Sequence, residues 1–468
     1  MFKSILPAAA LALLSGVSSA AIAQTNNAPI PLAEAVDIAV RSNPEIQEAQ
    51  FNKEGIEFER KQAEGLFGPR VDIEGSAGVR RLQNNTRTNL GIADEELFPV
   101  EIGITGEWTI ADFGRRRGEL LRQAARVDGA SLRVIERSEF IALQVSRQYL
   151  DILLQQRVSA AAEDNRRFHQ MLLQDLSQGV AQGSISVADQ QQAEERLQAA
   201  IVREEEAKRS VTQAQISLRT LTGLDLTNVV LPPDLIAAMP TSLDQAVGMA
   251  RLRNPLVREA QADVDAANAR VEAAEGELYP TIGLELRGRA GDDIDGFSGE
   301  TNDLQGRVVF RWNVFDSGIN RARIQEMVRR SSQSRFALHQ RQREAEEDVR
   351  SAWNARESQG RIAEALDRQS SVSDDLLLSY RSQFNIGRRS LLDVLDAQNT
   401  RFNTQVRLET ARFSEIFARY QILAATNNFL DALSVAPGAG SGSNEREQFD
   451  YGPPVEAELQ RRVYSDSN

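Results

Sequence analysis

Two segments far apart in this chain carry one motif. Leu32 to Gln50 reads LAEAVDIAVRSNPEIQEAQ and Leu243 to Gln261 reads LDQAVGMARLRNPLVREAQ, in register at Leu32/Leu243, Ala35/Ala246, Val36/Val247, Asn43/Asn254, Pro44/Pro255, Glu48/Glu259 and Gln50/Gln261. Trp108, Asp112 and Gly114 are echoed by Trp312, Asp316 and Gly318, and Gly183 and Asp189 by Gly387 and Asp393. The chain is two copies of one unit, so each element read in one half is expected again in the other. The first repeat is placed at 24–231 and the second at 232–433, joined near Leu231, Pro232, Pro233 and Pro240. The tail at 434–468, rich in Gly, Ser and Pro, reads as disordered.

Within each unit, long helices are expected. Proline is absent between Val100 and Leu231 and again between Thr281 and Ala436, and these stretches are rich in Ala, Glu, Gln, Arg and Leu. Nothing forces a break from Gly114 to Ser177 or from Gly318 to Gln383. Each run of ~64 residues would be ~95 Å long. Their apolar positions are sparse, so they must pack against partners in the manner of coiled coils.

Between the helices the period changes to two. Val71, Ile73, Gly75, Ala77 and Val79 alternate with polar or small residues, and so do Val100, Ile102, Ile104, Gly106, Trp108 and Ile110. The second half repeats this with Ile282, Leu284, Leu286, Gly288 and Ala290, and with Leu304, Gly306, Val308, Phe310, Trp312 and Val314. Strands are predicted at 70–81, 99–111, 280–290 and 304–315. Each is about as long as a tilted strand that crosses a bilayer, with one apolar and one charged face. Trp108, Trp312, Phe315 and Tyr279 fall near strand ends, where an aromatic girdle belongs. Four strands do not close a barrel, and open edges are not tolerated in lipid, so a barrel here is shared between chains. Two copies reach about eight strands and three about twelve; the residues leave both open.

The start of the chain agrees with export. A charged Lys3, an apolar stretch from Ile5 to Leu14 and the small residues ending Ala21, Ile22 and Ala23 read as a signal peptide, 1–23. The chain has no cysteine, hence neither a disulfide framework nor a lipid attachment site. Net charge is −13, with no basic patch interleaved with aromatics, which argues against a nucleic-acid partner.

The duplicated helix–hairpin–helix unit, the signal peptide and the segment GRRSLLDVLDAQNTRFN, Gly387 to Asn403, resemble the TolC family of outer-membrane efflux and secretion channels. The likeness spans about Ile30 to Leu433 and is most specific around Asp393 and Asp396. It implies a mainly α protein with a pair of membrane β-hairpins. Three chains would form a twelve-stranded barrel, continued by a long α-helical barrel into the periplasm. A closed periplasmic tip would open when an adaptor and an inner-membrane transporter, ABC or other, dock. The partners implied are two further copies of the chain, the adaptor, the transporter and outer-membrane lipid.

Asp393 and Asp396 are three apart, so they share one helix face, and threefold repetition would give two carboxylate rings that favour cations. The resemblance places such aspartates at the tip constriction. It also implies that Arg389 latches neighbouring coiled coils shut by pairing with a first-half aspartate, here Asp189. Two residues depart from the family pattern: Phe384 stands where a tyrosine is usual, and Ala188 brings no side-chain hydrogen bond beside Asp189. Gly183 and Gly387 end helical runs at equivalent places and read as tight turns at the tip.

No nucleotide-binding loop is present, and no nucleophile–base constellation, so the chain reads as a conduit and not an enzyme. No cofactor or metal is expected. The two histidines, His169 and His339, read as surface residues, and Asp292 to Gly296 as a polar hairpin turn rather than a calcium loop. The missing lipidation cysteine and the run QFNIGRRSLLDVLDAQN are similar to members that serve type I protein secretion. Small-molecule or metal efflux is the alternative cargo. A soluble periplasmic coiled-coil adaptor is the alternative of another class, but adaptors lack two repeat-related pairs of bilayer-length strands.

Overall fold

The computed structural model describes residues 29–226 and 228–446. The expected signal peptide, 1–23, lies outside them. The chain runs α1 (Leu32–Ser42), α2 (Pro44–Gly65), β1 (Arg70–Ala77), β2 (Arg80–Arg81), α3 (Asn85–Asn89), β3 (Glu96–Leu97), β4 (Val100–Ala111), α4 (Arg115–Ala181) and α5 (Val187–Thr222). The second half supplies α6 (Leu243–Arg253), α7 (Pro255–Gly276), β5 (Thr281–Asp292), β6 (Glu300–Arg311), α8 (Ile319–Asn385), α9 (Leu391–Ala425) and the short α10 (Phe429–Ala432). The duplication therefore holds element by element, apart from a 3-10 turn (Ile236–Ala238) in the segment joining the repeats and the additions in the loop between β1 and β4 and at the C-terminus.

The repeated Asn-Pro marks a helix boundary in both halves. Proline disfavours helical backbone in the residue before it but suits the first position of the next helix. Asn43 and Asn254 sit there in extended backbone, and their side chains accept the N–H of Glu45 (2.9 Å) and Leu256 (3.0 Å). Each also donates its amide to the end of a distant helix, Asn43 to Leu221 O (3.3 Å) and Asn254 to Ala425 O (3.1 Å). Thus α2 continues the line of α5, and α7 that of α9.

The two long helices, α4 and α8, have 67 residues each, ~100 Å at helical rise. Both start after a left-handed glycine, Gly114 (φ 104°) or Gly318 (φ 88°), and Asp112 and Asp316 accept the first free N–H groups, from Arg116 and Asn320, at 2.9 Å. Their apolar faces are thin and rich in alanine, which lets neighbouring backbones approach closely.

The strands form one antiparallel sheet in the order β1-β4-β5-β6, so the halves join through β4 and β5. Its register puts Val71 and Ile73, then Ile102, Ile104 and Trp108, then Leu284 and Leu286, then Leu304, Val308 and Phe310 on one face. Glu107, Glu101, Glu285, Arg289, Arg307 and Arg311 lie on the other, where Glu285 bridges Arg307 (2.5 Å) and Arg311 (2.6 Å). The predicted first strand stops at Ala77, and Arg80–Arg81 pair with Glu96–Leu97 in a separate two-stranded ladder. The fourth begins at Glu300 and stops at Arg311, before Trp312.

The largest core lies where α1, the start of α2, α4, the end of α5, α9 and α10 meet, around Leu32, Val36, Ile46, Tyr149, Leu218, Tyr420 and Phe429. The Tyr149 hydroxyl sits 2.8 Å from the carbonyls of both Ile30 and Val230, and Ile30 forms a parallel bridge with Val229. This ties the start of the first repeat to the segment joining the two.

The expectation of a disordered tail from Ser434 fails over 434–446. Val435 is buried in the main core, and Gly438 N–H donates to Ser138 Oγ at 3.0 Å. Arg446 bridges Asp128 (2.9 Å) and Asp265 (2.7 Å), and Glu445 bridges Arg60 (2.9 Å). Composition misleads here because glycine and serine let this strap lie flat along the helices while a few side chains anchor it. The rest of the tail lies outside the described residues. His169 also departs from expectation: it is buried, and burial pushes its imidazole down to about 4.

Candidate functional site: the helical tip and the exposed sheet

The end of the molecule farthest from the sheet is formed by two turns of the same construction. α4 ends in Gly183 (φ 73°) and α8 in Gly387 (φ 72°). Ser184 N–H donates back to Gly179 O and Gly183 N–H to Val180 O; Arg388 N–H donates to Gln383 O and Gly387 N–H to Phe384 O, all at 2.9 Å. These are paired Schellman closures, which require the left-handed residue. Gly179 has its own reason: a Cβ there would stand 2.5 Å from Ile185, which folds over the turn.

A serine then caps the next helix in each copy. Ser186 Oγ accepts Asp189 N–H (3.1 Å) and donates to Asp189 Oδ2 (2.7 Å). Ser390 Oγ accepts Asp393 N–H (3.3 Å) and donates to Asp393 Oδ2 (2.8 Å), and the Ser390 backbone N–H donates to the same Oδ2 (3.3 Å), completing a capping box. The Ser390 hydroxyl, helped by Arg389, holds the Asp393 carboxyl below the usual carboxylate range. Asp396, one turn on, is exposed.

Arg389 is engaged within its own turn. It donates to Gln383 Oε1 (3.1 Å), stands 3.7 Å from Asp393 and lies 4.2 Å over the Tyr380 ring. The structure does not bring it to Asp189 within the protomer. The hairpins are joined instead by Leu172, Leu176, Ala193, Leu391 and Leu395, with Phe384 packed against them, and by Arg381, whose guanidinium lies 3.6 Å from Asp175. The phenyl ring of Phe384 thus has an apolar place of its own. Sequence reasoning missed Arg381, because its partner is 206 residues away and neither residue belongs to a repeated pair. Above the tip, Gln398 donates to Asn165 at 2.9 Å in a buried polar layer.

At the other end, the apolar sheet face is open. Ile73, Ile102, Leu304, Val308 and Phe310 are all exposed, and the outer edges of β1 and β6 have no strand partner among the described residues. The four aromatic residues expected in a girdle, Trp108, Trp312, Phe315 and Tyr279, lie at the helix-facing end of the sheet. Trp108 and Trp312 do the same job in each copy, donating Nε1–H to Phe67 O (2.9 Å) and Leu278 O (3.1 Å). Tyr279 packs on Phe113, with centroids 5.6 Å apart, and Phe315 is 85% exposed. Among the described residues no helix is long and apolar enough to cross a membrane, and no acidic–histidine group has the geometry to hold a metal. Asp293, in the Asp292 to Gly296 turn, accepts the N–H groups of Phe98 and Gly299 (3.1 Å each), as a turn residue does.

These features agree with the comparisons. The profile of the outer membrane efflux protein family matches residues 35–224 and 246–434, one match per repeat. Outer membrane efflux protein BepC of Brucella suis is 27% identical over 60% of this chain; the chain spans 62% of that protein's length. Outer membrane protein TolC of Escherichia coli is 22% identical over 92% of this chain and 88% of its own. Among solved structures, the CmeC outer membrane channel of Campylobacter jejuni superposes with a TM-score of 0.75, at 16% identity, over 91% of this chain and 94% of that one. With both repeats matched and a fold shared with solved channels, the chain belongs to the outer membrane efflux protein family, the TolC-type channels of the outer membrane.

Proposed function

We propose that three copies of this chain form a passive exit duct through the outer membrane. The observation that carries this is the four-stranded sheet with an exposed apolar face and two unpaired edges. Lipid demands that every backbone group be paired, and three such sheets joined edge to edge make twelve strands with the charged face inward. The helices then extend the duct into the periplasm, where an adaptor and an inner-membrane transporter deliver cargo. No energy source resides in the chain itself.

On this reading the tip is the gate. Asp396, with Asp393 behind it, lines the constriction and favours cations. Asp189 and Asp393 are repeat equivalents with the same serine cap. Arg389 can therefore exchange Asp393 for Asp189 of an adjacent copy at little cost, latching the shut state. Gly183 and Gly387 form the turns that an adaptor meets. Protein export by a type I system is the cargo reading we favour, from the likeness of Gln383 to Asn399 to members serving that route. Small-molecule efflux is the second reading, favoured by the efflux protein BepC among its relatives.

The first test is single-channel conductance of the purified protein in a planar bilayer. A small cation-selective conductance that loses selectivity in Asp393→Ala with Asp396→Ala is expected. A channel whose selectivity the double substitution leaves intact would remove the acidic gate. Failure to insert would remove the barrel. In the source cell, loss of a secreted protein on deletion supports protein export, whereas intracellular build-up of a toxic small molecule supports efflux.

A further inference from the structure

Charge is spread unevenly over the long helices. Between α4, α7 and α8 lies a cavity of about 400 Å³, walled by Arg122, Arg126, Arg270 and Arg330 against a single carboxylate, Asp263. A second, of about 630 Å³, lies nearer the sheet, where Arg115, Arg311 and Arg323 meet one carboxylate, Glu277. The two linings are strongly basic in a chain whose net charge is −13. Five of these arginines are engaged: Arg122 with Glu119 (2.6 Å), Arg126 with Glu59, Arg330 with Glu326 (2.7 Å), Arg311 with Glu285 (2.6 Å) and Arg323 with Glu277 (2.7 Å). Arg115 and Arg270 are exposed, and neither guanidinium has a hydrogen bond or ion pair to a described residue.

The two cavities open on one face. Arg115 and Arg122, Arg270 and Glu277, and Arg323 and Arg330 are each two helical turns apart, so each pair shares a side of its helix. Asp128 and Asp265, which hold the strap, lie ~120° and ~140° round α4 and α7 from Arg122 and Arg270, at ~100° per residue. Towards the sheet the arginine face runs on into Thr281 and Arg311, cross-strand partners on its charged side. With three copies assembled and that side inward, the arginine face lines the duct just below the barrel, and the strap packs outside.

Resting on that reading of the assembly, we propose that the arginine face binds the carboxylates of an acidic polypeptide in transit, with Arg115 and Arg270 as its two open contacts. A guanidinium receives a carboxylate through two parallel N–H donors, and a concave wall of one sign concentrates the opposite charge. Neither open contact has an internal partner that the cargo must displace. The spacing favours a chain over a small anion. The cavities follow each other along the helices, with Arg115 and Arg122 ~10 Å apart in rise, a distance that ~3 residues of an extended chain span. The acidic tip stands at the other end of helices 67 residues long, so the duct changes sign along its length, acidic where cargo enters and basic as it nears the exit.

The test is fluorescence anisotropy of labelled octaglutamate with the intact detergent-purified protein, joined to planar-bilayer current with the same peptide on the barrel side. Octaglutamine and glutarate are the matched probes. Octaglutamate is expected to bind and to reduce the current, octaglutamine to do neither, and high salt to weaken both effects. Arg115→Gln with Arg270→Gln should weaken binding and block by about tenfold. The oligomer and its peptide-free conductance should survive, since neither side chain has a partner to lose. Arg209→Gln, at an exposed arginine of α5 outside both cavities, should change nothing. Glutarate that displaces the peptide at equal concentration would make this a small-anion site and overturn the polypeptide. No binding of octaglutamate, or binding that the double substitution leaves intact, would overturn the proposal, as would binding without block, which puts the arginines outside the duct. Failure to insert would count against the barrel itself, whereas a conducting protein that ignores the peptide would overturn this inference alone.

Discussion

Arg446 closes on Asp128 from the far end of the sequence. Its Nε donates to Asp128 Oδ2 at 2.9 Å, and the same carboxylate accepts the N–H groups of Glu445 (2.7 Å) and Arg446 (3.0 Å) and the Ser443 hydroxyl (2.9 Å). Asp128 is 2% exposed, on the glycine- and alanine-rich face of α4. A carboxylate this deeply placed is tolerable only because four donors meet it. Asp128→Ala leaves the Arg446 Nε–H, the Ser443 hydroxyl and two backbone N–H groups without their acceptor, while the guanidinium keeps only Asp265. A loss of ~3 kcal/mol is expected, typical of breaking one side of a buried pair. Limited proteolysis checks it: the strap at 434–446 should be cut early in the variant while the long helices stay intact.

The two tip aspartates should separate into different jobs. Asp393 closes a capping box, so Asp393→Ala should cost ~1 kcal/mol of helix stability and free Arg389 from its nearest carboxylate. Asp396 makes no comparable cap, and Asp396→Ala should leave stability unchanged while reducing cation selectivity. Thermal melting and reversal potentials of the single variants, taken together, test this. Equal loss of selectivity in both with equal melting would mean that capping does not divide them.

Arg381, more than Arg389, ties one hairpin to the other within the protomer. The Arg381–Asp175 pair is half-exposed and 3.6 Å apart, so it contributes up to ~1 kcal/mol, about a fivefold bias in a two-state equilibrium. Arg381→Ser is expected to raise the open probability of the channel, and high salt should mimic part of that effect in the wild type. Arg389→Ser should also raise it if the latch lies between copies, and the two effects should add. Unchanged gating in the Arg381 variant would show that the leucine contacts suffice.

Much of this architecture was legible because it is written locally and twice. The Asn-Pro boundaries, the left-handed glycines at 114, 183, 318 and 387 and the alternating strands each leave a mark within a few residues, and the second copy confirms the first. What stayed hidden depends on contacts across the fold. Nothing near Arg446 in the sequence points to Asp128. Arg87 is 1% exposed and donates to the carbonyls of Ile92 and Glu95, at 2.7 Å and 3.0 Å, inside the loop between β1 and β4. Glu139 sits among glutamates and arginines that would be solvated on an ordinary helix face. Arg389 was assigned by likeness to a distant aspartate, and its nearer neighbours Gln383, Tyr380 and Asp393 hold it in the isolated protomer.

Glu139 carries a pH dependence of stability whose sign follows from its raised carboxyl. Its folded value of about 8 lies above the unfolded value of ~4.3. Its favourable contribution is thus complete below ~4.3 and lost progressively as pH rises through about 8, where the native state must hold a buried charge. Unfolding midpoints should fall between pH 6 and pH 9 in the wild type by more than in Glu139→Gln, whose amide has no charge to bury. Parallel curves for the two proteins would mean that the carboxyl ionises without cost, and so that water reaches it.

The glycines provide the last contrast. Gly118 and Gly276 lie where α4 and α7 cross just below the sheet. A Cβ on Gly118 would stand 2.6 Å from Ala273 N and 2.7 Å from Ala269 O, and one on Gly276 2.8 Å from Arg115 N. These neighbours are backbone atoms that no rotamer change can move, so alanine at either place must push the helices apart. Gly183 and Gly387 differ in kind: a Cβ there meets nothing within 4 Å, but φ is 73° and 72°. Alanine at a tip glycine should therefore cost only ~1–2 kcal/mol of local backbone strain, with the assembly intact. Alanine at Gly118 should cost as much or more, as over-packing does, and its effect should travel, because α4 and α7 set the angle at which the sheet leaves the helices. Heat resistance of the detergent-solubilised oligomer on a gel distinguishes the two: Gly118→Ala is expected to dissociate at lower temperature than the wild type, and Gly183→Ala close to it. A Gly118→Ala oligomer as heat-resistant as the wild type would show that the crossing can relax without disturbing the sheet.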